Sequence, residues 1–216
     1  ALQVAGLVNV SNGRFSGVQI AGIGNNVSSD AKGAQIAGLY NVNKGNGISQ
    51  IAGLTNVAHD VKGSQISAIF NKAERVDGVQ VGLINVCDTT SGGSIGLINI
   101  VKKGYNRFEL AGSMELGAQG ALKFGSYKFY NIIQGSKQFS GPGWSLGYGI
   151  GTAVLTGKNT LLNFELMASH VNENNNWTTE LNLLSQLRMA VEVRLARRFS
   201  FFAGPVFNVM FSDLYD

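Results

Sequence analysis

A ten-letter phrase, GAQIAGLYNV at Gly33–Val42, recurs through the first hundred residues, and this repetition constrains the fold more than any other feature. Glutamine returns at Gln3, Gln19, Gln35, Gln50, Gln65 and Gln80, with Ser94 in the seventh slot. Asparagine returns at Asn9, Asn25, Asn41, Asn56, Asn71, Asn85 and Asn99. Both series run at 16 residues, then 15, then 14, so two independent markers drift together. Between them sits an apolar pair three apart, as in Ile36 and Leu39 or Ile51 and Leu54. In the sixth and seventh copies one small residue is lost, leaving Gln80-Val-Gly-Leu-Ile-Asn85.

Each copy carries glycine, which costs about 1 kcal/mol in a helix interior, so helices are excluded for this region. Its β-branched residues suit strands. Two β architectures remain. In a parallel solenoid each copy is one coil, with Gln and Asn stacked as internal ladders and Ile, Leu and Val filling the core. In an antiparallel meander each copy is a strand plus a turn. Three features favour the solenoid. The connections after each Asn are alike, as at Asn43–Gly47 and Ala58–Gly63. Two-residue alternation fails across the phrase, which an Ala-Gly corner repairs. The deletion at Val81-Gly82 would flip every later side chain of a simple strand but is tolerable at a corner.

The repeats stop at Ile100, and after Gly104 the texture becomes long two-residue alternation. Phe108, Leu110 and Gly112 oppose Arg107, Glu109 and Ala111; Trp144, Leu146, Tyr148 and Ile150 oppose Ser145, Gly147, Gly149 and Gly151. Leu162, Phe164, Leu166 and Ala168 oppose Asn163, Glu165, Met167 and Ser169, and Leu181–Leu195 continues the pattern, though it also has a helical face at Leu184, Arg188, Val191 and Leu195. A short turn at Gly157–Asn159, a long polar loop at Asn172–Thr179 and a short turn at Arg197-Arg198 alternate as in an outer-membrane barrel. About seven strands are expected here. Glu109, Glu115, Glu165 and Glu192 are expected inside, paired with Arg107, Arg188 and Arg194, with the apolar faces toward lipid. The expected fold is therefore all-β: a β-solenoid of ~15-residue repeats over 1–104, then antiparallel barrel-like β-strands over 105–216, the alternative being one continuous up-and-down β-barrel.

Charged residues make up only 14 % of the chain, against a usual ~25 %. The net charge of +4 is scattered, with no basic stripe interleaved with aromatics, so nucleic acid is not an expected partner. Lys32, Lys62, Lys102 and Lys103 read as solvated turn residues. The lone Cys87 excludes an internal disulfide and reads as an inert turn residue. No apolar run reaches the ~18 residues of a membrane helix. The chain opens inside a repeat at Ala1, so the natural start is expected upstream and the lack of a signal peptide carries no information.

The tandem GVQIAGLxNV and GVQVGLINV phrases, the GLINIVKKGYNRFEL junction, and FYNII, WSLGYGIGT and FFAGPVFNV together resemble a group of Bacteroidetes surface or outer-membrane repeat proteins. The resemblance covers nearly all of the chain. It implies a location and a repeat architecture, and it transfers no functional residue. Members of that group continue past the FAGPVFNV strand, whereas this chain stops at Asp216.

Catalytic candidates are few. Gly143-Trp-Ser-Leu-Gly147 matches the G-x-S-x-G elbow, which needs a strand-to-helix turn and a downstream acid and histidine. Ser145 and His170 would be nucleophile and base of a lipid hydrolase, but Ser145 lies on the glycine face and His170 on the opposite parity. Gly147-Tyr-Gly-Ile-Gly151 looks like a phosphate loop without its βαβ context and is better read as glycines facing a narrow interior. His59, in a solvated turn slot, and His170 lack metal-ligand spacing. No catalytic, cofactor-binding or metal residue is expected. The expected function is that of a non-enzymatic outer-membrane or cell-surface structural or interaction protein with membrane lipid as partner, and an envelope protein or glycan as a further one; a lipid hydrolase and a small channel are the alternatives.

Overall fold

The computed structural model describes residues 1–196 and 199–213. The chain divides into two compact units, Ala1–Tyr105 and Asn106–Asp216. Every regular element among the described residues is a β-strand.

The first unit is a parallel β-solenoid. Each phrase forms a Gln-bearing strand and an Asn-bearing strand, and like residues of successive coils pair in register: Gln19 with Gln35, Ile20 with Ile36, Asn41 with Asn56. A bend at Gly38-Leu39 separates the strand ending at Ala37 from the one beginning at Tyr40, so the Ala-Gly corner is real. Glycine is needed there by close packing of the coils: a Cβ on Gly38 would lie 2.1 Å from the carbonyl oxygen of Gly22. The residue lost from the sixth copy is lost at this corner. Gln80 still pairs with Gln65 and Asn85 with Asn71. The parallel pairing excludes the continuous up-and-down barrel.

Inside the coils the Gln and Asn side chains form two ladders. From Asn25 to Asn99 the Asn residues are fully buried, and Gln19 to Gln80 are at most 1 % exposed. Each Asn Nδ2 donates to the Oδ1 of the next coil's Asn, as from Asn41 to Asn56 at 2.9 Å. Its second hydrogen goes to a backbone carbonyl, as from Asn41 to Ile51 O at 2.8 Å. The Gln ladder runs the other way, with Gln50 Nε2 donating back to Gln35 Oε1 at 2.9 Å and Ser94 Oγ completing the series onto Gln80. The two rows of amide dipoles therefore oppose one another. Away from the corner the interior is small and apolar, with Phe15, Val27 and Ala31 at one end and Val61, Val76, Cys87 and Val101 at the other. Cys87 ends a strand and is buried in this core, not in a turn.

A further expectation is overturned. Ile and Leu of the phrase do not fill the core. Ile20, Ile36, Ile51, Ile66, Val81 and Ile95 form an outward column, 37–47 % exposed. Leu39, Leu54, Ile69, Leu83 and Leu97 stand outward at the corner, 44–51 % exposed. The strand geometry requires this, because Gln35 and Ile36 are neighbours and must point to opposite faces. Beyond the corner, Tyr40, Thr55, Phe70, Ile84 and Ile98 form one further outward column. Val42, Val57, Lys72, Val86 and Ile100 form another.

The second unit is one curled antiparallel sheet. Its strands are Arg107–Ser113, Gly117–Gly125, Tyr130–Lys137, Trp144–Leu155, Thr160–Asn172 and Asn182–Arg194, each paired with the next. Two short strands, Ser200–Ala203 and Val206–Ser212, both pair with Asn182–Arg194 and form one interrupted last strand, broken at Gly204-Pro205. Seven strand paths result. The Asn182–Arg194 segment is a strand, not a helix. The turn expected at Arg197-Arg198 lies outside the described residues. The three glycines Gly147, Gly149 and Gly151 do face inward, where they leave room for neighbours: a Cβ on Gly151 would meet the Tyr130 ring at 2.5 Å, and one on Gly149 would meet Met167 Sδ at 2.1 Å.

Candidate functional site

In the antiparallel unit the charged and most other polar side chains face inward, beside Ile132, Leu161 and Met167, and the outward face is apolar. Inward side chains alternate along each strand with outward ones, so each strand contributes to both surfaces. The inner charges meet across the curl. Lys123, on Gly117–Gly125, is 3 % exposed. Its Nζ lies 2.6 Å from Glu165 Oε1 and is also ion-paired to Glu109. Tyr130 Oη donates to the same Glu165 oxygen at 2.8 Å. Arg107 Nε approaches Glu192 at 3.5 Å, and Asn163 Nδ2 donates to Glu192 at 3.3 Å. Arg188 Nη2 donates to Gln119 Oε1 at 2.9 Å and Gln186 Oε1 at 3.0 Å.

These pairings differ in part from those the sequence predicts. Inward Glu109, Glu165 and Glu192 are as expected, but the cation for the first two is Lys123, not arginine. Arg188 Nη2 donates to amides while its Nε stays buried without a partner among the described residues, and Arg194 donates to Tyr127 Oη at 3.0 Å. Glu115 is exposed in the turn between Ser113 and Gly117. The parity of Gln119, Ala121 and Lys123 in the strand after Gly117 is the signal that places Lys123 inside.

Outward, Phe108, Leu110, Leu122, Ile133, Leu146, Leu166, Phe207 and Val209 are all at least half exposed. An apolar groove of about 590 Å³ runs along this face, lined by Tyr148, Ile150, Leu166, Leu187, Phe207 and Val209 among others. Aromatic side chains gather at the two ends of the strands. Phe139, Trp177 and Phe211 stand exposed at the end carrying the longer loops, and Phe108, Phe199 and Phe201 at the other.

Ser145 and His170 do not form a catalytic pair. His170 sits opposite Leu146 in the sheet, whereas Ser145 sits opposite Val171, so the two side chains project from opposite faces. Ser145 is buried, with its Oγ 2.6 Å from Ser136 Oγ. His170 stacks on Trp177 with ring centroids 4.4 Å apart, and its Nε2 lies 2.9 Å from Thr178 O. His59 belongs to the strand Thr55–Val61, with Nδ1 3.1 Å from Glu74 Oε1, so it is not a turn residue. Among the described residues no three His, Cys, Asp or Glu side chains gather so as to hold a metal ion.

No family model, no curated protein and no solved structure matches the chain.

Proposed function

We propose that this chain is a non-enzymatic envelope protein of the bacterial outer membrane or cell surface, with the antiparallel unit set in lipid. The observation that supports this reading is the reversed polarity of the curled sheet. Lys123, Glu165 and Glu192 are nearly fully buried, while a continuous array of Leu, Ile, Val and Phe faces outward. In water this arrangement leaves apolar area exposed and desolvates charge, two costs at once. In a bilayer the same outer face is solvated by hydrocarbon. The strand Thr160–Asn172 has 13 residues. At ~3.3 Å per residue and a tilt near ~40° such a strand spans about 30 Å, the thickness of a hydrocarbon core. The aromatic residues at both strand ends fall where girdles belong.

The work of such a protein is structural or adhesive. The charged flank of the solenoid carries mixed ion pairs, Arg14 with Asp30 and Lys102 with Asp88, and offers a polar surface to an envelope protein or glycan. The experiment is membrane fractionation of cells making the full-length protein. Retention in the membrane pellet after an alkaline carbonate wash, with release by detergent, is the expected result. Recovery in the soluble fraction without detergent overturns the reading.

A further inference from the structure

The solenoid carries a second exposed apolar surface, separate from that of the antiparallel unit. Its outward columns on the two strands meet at the corner, so the apolar surface wraps around the bend. Beyond the corner only Thr55, Asn26 and Lys72 interrupt it with polar groups. Every other Asp, Glu, Lys, Arg and His of Ala1–Tyr105 falls between the ladder Asn of one phrase and the ladder Gln of the next, or after Asn99, some of them, such as Lys32 and His59, within strands. Strands about 4.8 Å apart over seven coils, each with two short strands, give a face of roughly 800 Å². That exceeds the ~300–600 Å² typical of the largest patch on a soluble monomer.

We infer that this face lies on the hydrocarbon of a lipid bilayer, with the solenoid axis along the surface and its charged flank in water. The chemistry of the face selects lipid over a protein partner. It is built of Ile, Leu and Val, with Tyr40 and Phe70 as its aromatics. Protein interfaces draw their energy from Trp, Tyr and Arg, and of these the face carries Tyr40 alone. Its in-register columns repeat at every coil, so nothing fixes the register of a partner. Hydrocarbon needs neither register nor hydrogen bonds. The amide ladders are hydrogen-bonded within the coils, and the placing of most charges away from the apolar columns is the pattern of an interfacial element. This inference extends the membrane reading to a second surface and does not depend on the antiparallel unit being inserted.

The test uses the full chain carrying Cys87→Ala, which matches Ala58 and Ala73 in the same core cluster. Single cysteines replace Ile51, Leu54, Lys62 or Leu166 and carry a nitroxide, and the protein is mixed with phosphatidylcholine vesicles. Accessibility to oxygen dissolved in lipid is compared with that to an aqueous nickel chelate. The expected result is an oxygen-to-nickel ratio several-fold higher at Ile51 and Leu54 than at Lys62. Nickel access at Ile51 and Leu54 equal to that at Lys62 overturns the inference. Protection of Ile51 and Leu54 from both reagents, with dipolar broadening between probes, also overturns it, because a second copy then covers the face. The Leu166 probe reports separately on the antiparallel unit, so failure of that reading is distinguished from failure of this one.

Discussion

A primary amide taken out of water costs free energy unless all its hydrogen-bonding groups are met. The Asn ladder meets them. Asn56 accepts from Asn41 Nδ2 at 2.9 Å and donates to Asn71 Oδ1 at 3.0 Å and to Ile66 O at 2.8 Å. Replacing Asn56 by Ala strands the groups on both neighbours and is expected to cost about 2–4 kcal/mol in urea unfolding. Replacing the outward Ile51 by Ala is expected to cost under ~1 kcal/mol, the reverse of the usual ranking of these residue types. A second residue-scale effect involves Cys87, whose thiol is pushed up by burial from 9.0 to about 11. A raised acid pKa contributes stability that is intact below the unfolded value and is lost as pH rises through the folded one. The solenoid should therefore lose stability between pH 9.0 and about 11, by more than the Cys87→Ala variant does, in pH-dependent denaturation. The ladder residues were legible from their spacing alone. The position of isoleucine was legible too, since Gln35 and Ile36 are adjacent in one strand and cannot both face inward. The rule that apolar residues go inside masked that parity.

At the scale of elements, each coil is set by its corner and each strand of the antiparallel unit by its inner partner. A side chain at Gly38 would collide with the Gly22 carbonyl, so Gly38→Val is expected to prevent close stacking of neighbouring coils. It should lower the unfolding midpoint, and hydrogen exchange should rise first in the strands flanking Gly38. The corner was readable in the sequence because it is where the period shortens. In the antiparallel unit, alternation disclosed which faces pair but not which charges meet, since partners such as Lys123 and Glu165 lie 42 residues apart. Lys123→Met leaves Glu109 and Glu165 buried together without their cation, and is expected to cost about 3–5 kcal/mol in thermal or urea unfolding in detergent. Glu165→Gln in the same background should recover part of that loss.

For the whole molecule, both units bury polar or charged side chains beside a small apolar core and turn most of their large aliphatic ones outward. The solenoid replaces the ordinary apolar core near its corner with hydrogen-bonded amides, and the curled sheet sets ion pairs beside buried Ile132, Leu161 and Met167. The two units reach the same reversal with different repeats, a period near 15 and a period of 2. The sequence assigns the charged face of the second unit to the inside, as the curl of the sheet has it for Glu109, Glu165 and Glu192, whereas in the solenoid it assigns Ile and Leu of the phrase to the inside and the coils turn them outward. The most direct test of this reversal is the behaviour of the purified full chain with and without an apolar phase, read by sedimentation velocity and vesicle flotation. The account predicts large aggregates in detergent-free buffer, a monodisperse species in detergent, and flotation with phosphatidylcholine vesicles. A monodisperse chain in detergent-free buffer that stays at the bottom of the flotation gradient would contradict it.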